Sequence, residues 1–91
     1  MDMHYATLQL QTSVEDGRVF AIHALELLGY SVWSHPHRDR FLVIGGDESA
    51  SITIALAASE RIVNISIVVA SCTNTGRPVR NKLVSLYRTG P

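Results

Sequence analysis

The chain has 91 residues and a mass of 10.0 kDa, room for one small hydrophobic core and not for two, so a multi-domain enzyme is excluded. Hydrophobic residues make up 46% and charged residues 18%, too apolar a mixture for a disordered tail. Eight basic side chains balance eight acidic ones, which excludes a surface that attracts nucleic acid or anionic lipid over its whole extent.

Leu8 and Leu10 alternate with Thr7, Gln9 and Gln11, the period of a strand buried on one side. Thr12 or Ser13 stands three residues before Glu15 or Asp16, a capping-box spacing that starts a helix near Val14. Helical spacing puts Val14, Gly17, Phe20, Ala21, Ala24, Leu25, Leu27 and Leu28 on one face, leaves Val19 and Ile22 on the outer side, and ends at Gly29. Ser31 to His35 reads as a short strand weakening at Pro36, at a sheet edge. His37-Arg38-Asp39-Arg40 reads as a turn, and Phe41 to Ile44 as a strand broken by Gly45-Gly46-Asp47.

Ser51 to Ala58 and Ile62 to Cys72 alternate most clearly and are joined through Ser59-Glu60-Arg61. After a Thr73-Asn74-Thr75-Gly76 loop, Val79, Leu83, Leu86 and Tyr87 mark a last helix closed by Gly90-Pro91. The predicted order is β-α-β-β-β-β-α. It defines an α+β two-layer sandwich, an antiparallel sheet of four to five strands with two helices on one face. This order is similar to one half of the saddle-shaped TATA-box-binding fold, and the part after residue 13 resembles a double-stranded-RNA-binding domain. The latter family opens its last helix with a stretch rich in Lys and Ala. Arg77, Arg80 and Lys82 match its charge, and the alanines are absent.

A lone Cys72 precludes an internal disulfide and predicts a reducing, cytoplasmic setting, with the thiol packed and inert at the end of its strand. No signal peptide or membrane span is expected. His35 and His37 would share a face if extended, yet two imidazoles are half a metal site; a third ligand from His4, His23, Asp39 or Asp47 is not required by spacing. No nucleophile has a base beside it and no cofactor motif occurs, so neither an enzyme nor a cofactor or metal protein is predicted.

Two surfaces stand out. Thr75, Gly76, Arg77, Arg80 and Lys82 place positive charge at the start of the last helix, where the dipole disfavours it and a phosphate group or nucleic-acid backbone would relieve it, with Arg88 a further basic residue of that helix. The second is the sheet face opposite the helices. If Ile52, Ile54, Leu56, Val63, Ile65, Ile67 and Val69 lie beneath the helices, Ser51, Thr53, Ala55, Ala57, Asn64, Ser66, Val68 and Ala70 face away, and none is charged. Solvated sheet faces usually carry charge. A neutral face of small side chains predicts close approach of a second layer, most simply a homodimer with the chain acting as a binding or accessory module. Nucleic-acid binding through the basic helix is the alternative, and a small-molecule site in an oligomer cleft near Tyr30, Trp33 and the His35/His37 pair is a second.

Overall fold

The computed structural model describes residues 2–37 and 40–89. The turn residues Arg38 and Asp39 and the terminal Gly90-Pro91 lie outside the described residues, as do the side chains of Pro36 and His37.

The elements follow the predicted order: β1 (Asp2–Leu10), α1 (Val14–Leu27), β2 (Ser31–His37), β3 (Arg40–Gly46), β4 (Ala50–Ser59), β5 (Ile62–Ser71) and α2 (Gly76–Thr89). The five strands form one antiparallel sheet in the order β1-β5-β4-β3-β2. Helix α1 lies over β2, β3 and β4, and α2 over β1 and β5. Both helices therefore cover one face, as expected. Ile52, Ile54, Leu56, Val63, Ile65, Ile67 and Val69 are all buried beneath them, together with Ala21, Leu25 and Leu83.

Helix α1 begins where Ser13 accepts the Asp16 amide at 3.0 Å and ends before Gly29, whose φ of 90° reverses the chain. Two of the predicted placements are corrected, Leu27 of the stripe and Ile22 of the outer side. Leu27 is 69% exposed, because it sits at the stripe's margin and rims a small cleft between the helices, while Ile22 is half-buried against the core.

The strands run longer than the alternation indicates. β1 extends back to Asp2, with Asp2, His4 and Ala6 on the covered side and Met3 and Tyr5 on the open side. β2 continues through Pro36, which pairs with Phe41 and is tolerated because β2 is an edge. β3 does not break at Gly45-Gly46 but includes both. A Cβ at Gly45 would stand 2.9 Å from Leu25 Cδ1, so the absent side chain is what lets α1 settle on the sheet. Asp47 closes the next turn, its Oδ1 accepting the Ser49 and Ala50 amides and the Ser49 hydroxyl at 2.8–2.9 Å.

The helices meet through Phe20 and Tyr87, ring centroids 4.7 Å apart. Tyr87 is 6% exposed, its hydroxyl donates to the Gly17 carbonyl at 3.5 Å, and burial holds its phenol well above the usual value. Tyr30 is shifted the same way, by burial and then by the charge of Asp47. An unfolded chain releases these protons near pH ~10 while the folded chain retains them, so stability falls as pH rises beyond that point. Tyr87→Phe should cost about 1 kcal/mol or less at neutral pH and flatten the loss of melting temperature above pH ~10. Thermal melts of both proteins across that range check this.

Candidate functional site: the open sheet face

Pleating sends alternate side chains of every strand away from the helices. The register aligns these into rows across the sheet. One row reads Tyr5, Val68, Thr53, Ile44 and Trp33; the row toward the start of β1 reads Met3, Ala70, Ser51, Gly46 and Ser31. On the other side stand Thr7, Ser66, Ala55, Leu42 and His35, then Gln9, Asn64, Ala57 and Arg40. All eight residues expected to face away, Ser51, Thr53, Ala55, Ala57, Asn64, Ser66, Val68 and Ala70, lie on this face. Among the described residues Arg40 is its single charged side chain.

Sequence reasoning named Trp33, beside an oligomer cleft, but missed the other large apolar groups framing the small ones. Met3, Tyr5 and Trp33 are 63%, 73% and 60% exposed on the two edge strands. With strands about 4.8 Å apart, Tyr5 and Trp33 stand roughly 19 Å from one another across the row. The period-2 signal of β1, followed back past Thr7, would have found Met3 and Tyr5, and Leu42 and Ile44 were foreshadowed by a strand apolar on both sides. Near Arg40 the face sinks into a depression of about 450 Å³ floored by Ala55 and Ala57. The His35 ring stacks on Trp33 with centroids 5.5 Å apart, and Gln9 Nε2 donates to Asn64 Oδ1 at 2.9 Å.

The anion site predicted at the last helix is not gathered in this way. Gly76 is the buried first residue of α2 rather than a loop glycine. The Asp2 carboxylate stands against it: a Cβ on residue 76 would lie 3.0 Å from Asp2 Oδ1 and 2.9 Å from His4 Cδ2. Asp2 Oδ2 also pairs with His4 Nε2 at 3.2 Å. The chain thus brings its own negative charge to the helix start, the position expected for an external anion. The Thr75 hydroxyl is engaged with Ser71 at 2.9 Å and Thr73 at 3.1 Å, and Arg80 donates to Asn81 Oδ1 at 2.9 and 3.2 Å. Arg77 and Lys82 are exposed, and helical geometry turns Lys82 roughly 140° away from Arg77.

Cys72 is exposed, not packed, because it lies one residue beyond β5 in the turn to α2, where its thiol donates to the Ser49 carbonyl at 3.4 Å. His4 sits on the covered side of β1, His23 is exposed on α1 and His35 lies on the open face, three separate places. Among the described residues no three His, Cys, Asp or Glu side chains are grouped to hold a metal.

No protein-family model matches the chain, and no curated protein sequence matches it. Among solved structures, the crystal structure of DR_A0006 from Deinococcus radiodurans, a structural genomics target, is similar over 96% of this chain and 93% of its own, with a TM-score of 0.51 and 11% identity. That likeness is one of fold, and it shows the α+β sandwich as an architecture shared by the two proteins. Among the described residues no helix is long and apolar enough to cross a membrane.

Proposed function

We propose that the chain is a non-enzymatic binding module, working in the cytoplasm, whose open sheet face is its recognition surface and whose first partner is a second copy of itself. The observation that carries this reading is the pairing of near-neutrality with exposed apolar bulk: one charge among the described residues of the face, and Met3, Tyr5 and Trp33 each more than half exposed. Apolar patches of this extent on a small domain mark contact surfaces.

Size and symmetry support self-association. Five strands about 4.8 Å apart and four outward positions per strand span about 600 Å² in projection, close to the ~800 Å² per partner of a standard interface. The centre, Thr53 and Ala55 on the middle strand, is small enough for two sheets to approach to about 10 Å. Arg40 lies in an end row, so a twofold axis running across the strands carries its two copies to opposite ends, where they do not repel. The lone free thiol supports the cytoplasmic assignment. A phosphate-binding role for α2 is less favoured because Asp2 already stands at its start.

Sedimentation velocity across a concentration series tests the reading. A species of twice the 10.0 kDa chain mass, growing with concentration, is expected. A monomer at every concentration would overturn it.

A further inference from the structure

We propose that the depression at the Arg40 end of the open face binds small organic anions with an apolar body, of the medium-chain carboxylate class; the inference rests on the open face being a recognition surface and names what that surface takes besides a second copy. Its volume of about 450 Å³ falls in the range of small-molecule sites, roughly 300–1,000 Å³. The hollow exists because Ala55 and Ala57 end at Cβ while Leu42 on one side and Asn64 on the other rise beside them.

The polar groups at its rim select the charge of the occupant. Arg40 donates and cannot accept, and among the described residues it has no ion-pair partner. Asn64 has its carbonyl oxygen engaged by Gln9, which leaves its amide N–H groups to donate. Ser66 adds a hydroxyl, and among the described residues no carboxylate lines the hollow. A cation would be repelled by Arg40 and, among the described lining residues, which also include His35, would find no carboxylate to pair with. A neutral apolar molecule would cover Arg40 and Asn64 without answering their hydrogen bonds, which is costly. A carboxylate with a hydrocarbon tail answers both needs, its oxygens toward Arg40 and Asn64 and its tail along Ala55 and Leu42.

Octanoate and its uncharged counterpart octan-1-ol, titrated into the full chain by calorimetry and amide-resolved NMR, provide the test. Octanoate should bind at millimolar concentration or tighter, with shifts centred on Ala55, Ala57 and Asn64, and octanol about tenfold or more weaker. Arg40→Gln should erase that preference, and Ala57→Leu, which fills the floor, should abolish octanoate binding without lowering the melting temperature. Equal binding of the two probes, no binding of octanoate, or indifference to Arg40→Gln overturns the proposal. Sedimentation of the same samples separates the two readings: a monomer that binds octanoate defeats self-association alone, and a dimer that ignores octanoate defeats the anion site alone.

Discussion

Thr53→Glu should abolish the proposed self-association while leaving the fold intact. Thr53 occupies the middle strand, between Val68 and Ile44 in the central row, with its side chain turned away from the helices. A twofold dimer through this face brings both copies of residue 53 near the axis, so two buried carboxylates would oppose one another. Like charges so placed cost several kcal/mol, which is on the order of a hundredfold or more in dissociation constant. Within the monomer the same change touches neither core nor backbone, and exposed strand substitutions span about 1 kcal/mol. Sedimentation should therefore show a large shift and thermal melting a small one. A melting temperature that collapses, or a dimer that survives, would each contradict the expected interface.

The largest effect on stability is expected where α1 meets β3. Leu25 is fully buried, and its terminal methyl fills the space above Gly45. Leu25→Ala leaves a cavity there and should cost about 3 kcal/mol, roughly 10–20 °C in melting temperature for a domain of this size. Gly45→Ala inserts a Cβ 2.9 Å from that methyl and should cost about 1–3 kcal/mol by overpacking. The two changes act on one volume with opposite sign. The double variant should be more stable than the sum of the single effects requires, by about 1 kcal/mol or more. Strict additivity in urea titrations of the four proteins would show that Gly45 answers to something other than Leu25.

The layers, the element order and the core rows of β4 and β5 were legible because an uninterrupted alternation without charge has few other interpretations. The bounds of α1 were legible because Ser13 and Gly29 are chemically suited to its ends. β1 was read short for a specific reason: its first half inverts the pattern, with Asp2 and His4 under α2 and Met3 and Tyr5 in the open. Gly45 was read as a break because a strand glycine and a turn glycine look alike until the helix above it is placed. The surroundings of the candidate anion site depend on a long-range fact, since nothing local to Thr75–Lys82 announces that Asp2 will fold against Gly76. The open face was half visible, its β4 and β5 residues from their alternation and Trp33 from its place at a predicted edge, while Met3 and Tyr5 were not. Those edges are brought together only by the sheet order.

That order also sets a sequence of events. Strands β2 to β5 are successive hairpins, closed by loops of a few residues. β1 pairs instead with β5, from Leu10↔Val63 to Asp2↔Ser71, and the smallest loop it closes is residues 11–62. Loop-closure entropy makes that step costlier than a two-residue hairpin by roughly 3 kcal/mol, so it follows the meander in folding. Tyr5 and Met3 arrive with it. The Met3 and Tyr5 edge of the proposed recognition surface is thus the last part of the sheet to be assembled, and a nascent or partly unfolded chain lacking it would offer the proposed second copy an incomplete face.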